Sequence, residues 1–433
     1  WIRYGFFRFS SFQKVAEDLF IALIVQKFGG TSVGNMDRIK NVAKRVARTF
    51  SEGNEVVVVL SAMSGETNRL VGLCHEASEF PIGREYDLVI STGEQVTIGL
   101  LAIVLKEMGY NAKSLLGHQV PIVTDSQFAS ARIESIDGQK MKEELSKGTI
   151  LVVAGFQGVD CLGNITTLGR GGSDTTAVAI AAALKADVCE IYTDVEGVYT
   201  TDPNICQEAR KLERVSYDEM LEMASLGAKV LQTRSVEFAK KYEVPVMVRS
   251  SFNDAIGTLV CKEDEEMEKV VVSGITYNKN EAKISVLRVP DRPGIAAKLF
   301  RPLTEAGINV DMIVQNISQD AHTDLTFTVS KEDFKRGLKI VQETASQIEA
   351  RDVVGDPNIA KISIVGAGMR SHAGVASQMF DVMAREGINI QMISTSEIKV
   401  SCVVDVKYTE LAVRVLHEAF GLGKSEVIEE TQG

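Results

Sequence analysis

One sequence pattern occurs twice in this chain and constrains its C-terminal part more than any other feature. Residues 284–313, ISVLRVPDRPGIAAKLFRPLTEAGINVDMI, match residues 362–393, ISIVGAGMRSHAGVASQMFDVMAREGINIQMI, with a two-residue insertion before the second copy's glycine. Each copy reads as a strand, a loop holding Gly294 or Gly374, an amphipathic helix, a Gly-Ile-Asn turn at Gly307 or Gly387, and a second strand. A further apolar run follows each, DLTFTV (324–329) and KVSCVVDV (399–406). This is the βαββαβ order of a ferredoxin-like unit, and two of them imply a pseudo-symmetric pair.

Upstream the pattern changes. From residue 21 to about 260, short apolar runs (IALIVQKF, EVVVVLSAM, TILVVAGFQG, CEIYTD, VPVMVRS) alternate with helical periodicity. Near-continuous Val/Ile runs suit strands buried on both faces, and helices between them make the sheet parallel. SVEFAKKYEVPVMVRSS reads as the last helix and strand of this α/β unit, and CKEDEEMEKV (261–270) as a charged connector. The expected division is an extension at 1–20, a mostly parallel sheet sandwiched by helices at 21–262, and a region at 263–433 with repeat cores 284–330 and 362–406. A chain of 433 residues accommodates two or three domains. The extension lacks an apolar core followed by a small-residue cleavage site, so secretion is not expected.

Lys plus Arg number 47 and Asp plus Glu 58, a net charge of −11 without long basic runs. Such a chain suits neither nucleic acid nor an anionic membrane, and an anionic substrate must be met by local positive groups. No apolar run reads as long and charge-free enough to span a bilayer. The six cysteines include no C-x-x-C pair, and the five histidines show no metal-ligand spacing. This argues against a disulfide framework or zinc site and for reduced thiols in the cytoplasm.

Several segments carry more chemistry than packing needs. Lys-Phe-Gly-Gly-Thr-Ser (27–32) follows the first strand. Its glycines let backbone N–H groups approach an anion, a helix starting near Met36 adds its dipole, and Lys27 reaches the same space. It is neither a Walker loop nor a Rossmann fingerprint, and a plain strand–turn–helix joint explains it equally well. Leu-Gly-Arg-Gly-Gly-Ser-Asp-Thr-Thr-Ala (168–177) says more. Capping explains Ser173 or Asp174 before an alanine-rich helix, but not three glycines around Arg170. An anion held by N–H groups and a forked guanidinium explains all of them. Ser-Thr-Gly-Glu-Gln (91–95) places Glu94 at a strand-to-helix turn after DLVI, either as a dipole partner or for an ammonium group. Ser61 and Thr67, after the second strong strand, are ligands or caps. Tyr-Thr-Asp-Val-Glu-Gly-Val-Tyr-Thr-Thr-Asp-Pro (192–203) is a polar loop at a strand's C-terminal end, where α/β folds bind ligands.

These segments in this order resemble the aspartate kinase family, within the amino-acid kinase superfamily, over residues 21 to about 425. The C-terminal repeats resemble a tandem pair of ACT domains. The resemblance implies transfer of the ATP γ-phosphate to the side-chain carboxylate of L-aspartate, with Mg²⁺ carried mainly by the nucleotide. It implies that Lys27 neutralises the transferring phosphoryl group, that Asp174 orients it, that Arg170 holds the α-carboxylate and that Glu94 holds the α-ammonium. Ser61 and Thr67 would lie near the reacting carboxylate. Gly29, Gly30, Thr31 and Ser173 would cradle phosphates, and Thr193, Asp194, Tyr199, Asp202 and Lys229 would line the nucleotide pocket. No metal ligand is assigned. The length leaves no room for a fused homoserine dehydrogenase, so the monofunctional form is expected.

Lysine, threonine or both are the implied effectors. In Asp291-Arg292-Pro293-Gly294-Ile295, Asp291 would meet an effector's ammonium and the helix N-terminus at Gly294 and Ile295 its carboxylate, with Asn309 and Gln315 nearby. Such units bind at an interface between two of them, so a homodimer or higher oligomer paired through this region is expected. Other amino-acid kinases, glutamate kinase among them, and a catalytically silent amino-acid sensor are the competing readings.

Overall fold

The computed structural model describes residues 21–225, 230–317 and 321–423; the 1–20 extension and Lys229 lie outside them. They form two compact units, one up to Val198 joined by Val230–Lys262, the other holding Tyr199 onward to 225 and the residues from Glu263.

In the first unit, β1 (Leu23–Phe28), β2 (Glu55–Leu60), β3 (Ala112–Leu115), β4 (Ile150–Ala154), β5 (Val188–Thr193), β6 (Val246–Ser250) and β7 (Thr258–Cys261) make one sheet. They run in the order β7-β6-β5-β1-β2-β4-β3, with only the β6–β7 pair antiparallel. β4 is buried throughout and β2 after its first residue, as the Val/Ile runs require. Helices α1 (Met36–Ser51) and α4 (Thr92–Glu107) close one face. There Ile39, Val42, Val46, Ile98, Leu101 and Leu105 meet Val56, Val58 and Leu60. Helix α5 (Gly172–Leu184) packs against β1 and α6 (Thr233–Tyr242). Alanines suit it because it is enclosed on nearly every side. A small second sheet (Ile122–Thr124, Ile133–Ile136, Gln157–Val159, Ile165–Thr167) leads into the Gly-Arg-Gly-Gly segment.

DLVI is helical rather than a strand. It ends α3 (Arg84–Ile90), whose first turn carries Glu85 and Asp87. A four-residue apolar run has no period of its own, and acids at a helix start decided it. Residues Arg84–Glu107, spanning α3 and α4, are long and apolar enough for a membrane by composition. Half of that apolar stretch is buried inside the unit, with Leu101 and Leu105 in its core.

The second unit has one antiparallel six-stranded sheet of β8 (Gly274–Pro290), β9 (Val310–Ile317), β10 (His322–Ser330), β11 (Asp352–Val365), β12 (Met392–Ser396) and β13 (Lys399–Asp405). Its order is β9-β10-β8-β11-β13-β12. The two long strands serve both repeats. Residues 281–290 of β8 pair with β10, and 281–287 with the start of β11. Residues 274–278 pair with the end of β11, which pairs in turn with β13. The second repeat therefore receives its fourth strand from upstream of the first, and each βαββαβ unit completes the other. Helices α7 (Ile295–Glu305) and α8 (Phe334–Gln347) cover the first repeat, α9 (Val375–Arg385) and α10 (Thr409–Ala419) the second. Equivalent residues fill the two cores: Leu299 and Leu303 over Ile284 and Phe327, Met379 and Met383 over Ile362 and Cys402.

Candidate active site

Parallel strands place their C-terminal ends on one edge of the sheet, and the first-unit motifs gather there. Lys27, next to last in β1, registers with Val59 of β2 and Ile191 of β5. Its ammonium is buried against Asp174, with Nζ to Oδ1 at 2.5 Å. A Cβ at Gly29 would stand 3.5 Å from that ammonium, and one at Gly30 2.9 Å from the carbonyl oxygen of Ala62. Glycine at 29 keeps the approach to Lys27 open. Glycine at 30 lets the turn close on the β2 loop, where the Ser64 N–H donates to the Gly30 carbonyl at 3.2 Å. Thr31 accepts the Arg38 guanidinium on its carbonyl.

Asp174 and Ser173 are buried in the first turn of α5. Gly169 (φ +74°) and Gly171 (φ +70°) hold left-handed backbone that an L side chain resists. Gly171 also has no room, since a Cβ would meet the Gln232 side chain at 2.1 Å. Between them Arg170 is exposed and pairs with no other described residue. Gly155, after β4, escaped the sequence reading. A Cβ there would lie 2.7 Å from Ser173 Oγ, so glycine lets the α5 N-terminus sit on the strand end. Its signal was the same as that of Gly29, a glycine directly after a buried strand.

Glu94 begins α4 and is buried. Its Oε1 accepts the Ala62 N–H at 3.0 Å, while its buried Oε2 has no hydrogen-bond partner. Burial pushes its carboxyl up to about 7, against the opposing Ala62 hydrogen bond. A buried carboxylate oxygen without a donor is costly unless a cation arrives. Gly93 lets this helix start approach, since a Cβ would stand 2.7 Å from Ala62 Cβ.

Ser61 follows β2, its N–H donating to the Phe28 carbonyl at 3.1 Å. Thr67 sits in the first turn of α2 (Glu66–Ala77). Thr193 ends β5 and donates through its hydroxyl to Asp194 Oδ1 at 3.1 Å. Tyr199 and Asp202 belong to the second unit, where Asp202 accepts the Tyr277 hydroxyl at 2.8 Å and the Asn204 N–H at 2.9 Å. Lys229 lies outside the described residues. Among the described residues no group of three or more His, Cys, Asp and Glu is placed to hold a metal.

In the second unit, Asp291, Gly294, Ile295 and Gln315 line one hollow of about 470 Å³, with Gly294 at φ +90°. Asn309 lies elsewhere, in a separate hollow with Phe300, Thr304 and Ile313. The equivalent loop of the second repeat is filled by its own chain. A Cβ at Gly366 would meet the Val271 carbonyl at 2.2 Å, and one at Gly368 the Glu268 carbonyl at 2.6 Å.

Comparison with known proteins identifies the families of the two regions. Residues 22–250 match the amino acid kinase family, and residues 284–344 and 362–420 match the ACT domain. A Pseudomonas aeruginosa protein called aspartokinase is 59% identical over 404 residues, 93% of this chain and 98% of that one. Escherichia coli aspartokinase III, solved with aspartate and ADP, is 27% identical, covers 92% of this chain and 99% of its own, and superposes with a TM-score of 0.75. The same enzyme solved with lysine and aspartate gives 26% identity and a TM-score of 0.74, covering 92% of this chain and 99% of its own. With the kinase and ACT family matches and 59% identity over nearly the whole chain in agreement, this chain belongs to the aspartokinase family.

Proposed function

We propose that the chain transfers the γ-phosphoryl group of ATP to the β-carboxylate of L-aspartate, giving 4-phospho-L-aspartate and ADP at the start of the lysine, threonine and methionine branch of amino-acid biosynthesis. The observation that carries this reading is the unpartnered, buried Oε2 of Glu94, whose other oxygen is held by Ala62 just after β2, the strand that pairs with the one carrying Lys27. It provides for a free α-ammonium, which separates aspartate from acylated amino acids and nucleoside monophosphates. Arg170 takes the α-carboxylate. The nucleophile, with a pKa of about 3.9, is already ionised at neutral pH, so no general base is needed. The barrier is an anion approaching a polyanion. Lys27 and the N–H groups of the Gly29–Gly30 turn and the α5 start lower it by neutralising charge, and Asp174 fixes the ammonium. Thr31 and Ser173 complete the phosphate cradle, and Thr193 and Asp194, at the end of β5, receive the nucleotide. Carried by ATP on its phosphate oxygens, Mg²⁺ would supply further charge neutralisation at the transferring group. The protein works in the cytoplasm.

A guanidinium fork and an ammonium are not equivalent toward a carboxylate. Arg170→Lys is therefore expected to raise KM for aspartate about tenfold or more while KM for ATP stays near the parent's. Steady-state kinetics with both substrates check this, and parallel rises would assign Arg170 to the phosphates instead.

Regulation follows from the hollow around Asp291. Lysine or threonine bound there, with its ammonium on Asp291 and its carboxylate at the start of α7, favours a low-activity arrangement; such couplings are worth about 1–3 kcal/mol. The site is completed by pairing of two chains through the ACT region. Asp291→Ala is expected to keep uninhibited kcat and lose inhibition by at least one of the two amino acids. Inhibition curves as steep as the parent's for lysine, threonine and the mixture would rule this loop out.

A further inference from the structure

Asp87, within the DLVI run of α3, and Arg234, in α6, were not among the candidate site residues, yet both grip the segment that presents Arg170. Asp87, on α3, is fully buried. Its carboxylate accepts the Thr167 N–H at 2.6 Å, the Thr167 hydroxyl at 2.9 Å and the Ala129 N–H at 2.9 Å and 3.0 Å to its two oxygens. All of these donors are neutral. Thr167 is the last strand residue before Leu168-Gly169-Arg170. Ala129 is held at φ +66°, a strained conformation for a residue with a side chain, and its carbonyl lies against Gly169, 3.1 Å from where a Cβ would stand. From the other flank, Arg234 in α6 donates through Nη1 to the Leu168 carbonyl at 2.6 Å and through Nη2 to the Ala131 carbonyl at 3.0 Å. The Ala131 N–H closes the frame on the Thr167 carbonyl at 2.9 Å. The loop backbone is thus clamped on both sides while the Arg170 side chain is left unengaged.

We infer that Asp87 and Arg234 are positioning residues that set the direction of Arg170 and thereby the enzyme's affinity for the amino-acid substrate, without touching it. Burying a carboxylate and half-burying a guanidinium to hold a surface loop is costly, and packing alone would be served by apolar residues. A clamp that aims a free guanidinium accounts for charged groups here, because a displacement of about 1 Å in a positioning element can cost up to about 10²-fold in rate. The inference rests on Arg170 as the α-carboxylate ligand.

The test compares Asp87→Asn, Arg234→Lys and Arg170→Ala with the Asp87→Asn/Arg170→Ala and Arg234→Lys/Arg170→Ala double variants, using the full chain and steady-state kinetics in both substrates. Each positioning variant alone is expected to raise KM for aspartate about tenfold, with kcat and KM for ATP moved far less. On the Arg170→Ala background neither is expected to raise it further, because the group being aimed is gone. Additive rises, or equal rises for ATP, would show a purely structural role and overturn the inference, as would a normal KM in both single variants. Arg234→Lys keeps its charge and tests the clamp even if Asp87→Asn does not fold. An unchanged KM in Arg170→Ala instead overturns the assignment of Arg170, a result distinct from the others.

Discussion

Lys27→Ala is expected to lower kcat by about 10²–10³, with a much smaller change in KM for aspartate, because the ammonium acts on charge that develops in the transition state. The structure adds a second consequence. Lys27 and Asp174 are buried together, with Nζ and Oδ1 2.5 Å apart. Removing one partner of such a pair leaves an uncompensated charge and typically costs about 3–5 kcal/mol. The single variant should therefore melt at a lower temperature as well as turn over slowly. A Lys27→Met/Asp174→Asn double variant separates the two effects. It carries no stranded charge, so its melting temperature should recover towards the parent's while kcat stays low. A less than tenfold loss of kcat in Lys27→Ala, or recovery of kcat in the double variant, would make the pair structural and not catalytic.

Glu94→Gln is expected to raise KM for aspartate about 10- to 100-fold, the range set by a hydrogen bond to a charged group worth about 1.5–3 kcal/mol. Its pH dependence is the sharper test. Burial lifts the carboxyl from 4.5 to about 7, so below about 7 the unliganded enzyme holds Glu94 protonated, without the charge that attracts an ammonium. kcat/KM for aspartate should rise as pH rises towards about 7 and level off above it, and this step should vanish in Glu94→Gln. Stability moves the opposite way. The folded chain binds this proton more tightly than the unfolded chain, so the contribution is full below pH 4.5 and lost as pH rises through about 7. Above that pH the glutamine variant should be the more stable protein, by up to about 3 kcal/mol. Thermal melts at acid and neutral pH measure this, and a parent whose kcat/KM is flat across the same range would remove Glu94 from ammonium binding.

Much of this protein was legible in its residues. The internal repeat carried two βαββαβ units, the Val/Ile runs carried a parallel sheet, and the glycines around Lys27 and Arg170 carried the resemblance to the kinase family. These are local signals: a period of two or of 3.6 residues, or a glycine where backbone must turn left-handed or come close, is written in a few adjacent positions. The sequence did not determine what depends on which distant segments meet. DLVI, too short to show a period, became helix α3 and placed Asp87 under the Arg170 loop. Residues 274–278 completed the second repeat from upstream of the first, because pairing partners depend on exposed strand edges and not on chain order. Lys27 paired with Asp174, and Glu94 acquired its raised carboxyl, only once the strands and helices around them excluded water. Desolvation and strand register are properties of the assembled neighbourhood, so only the tertiary structure could decide them.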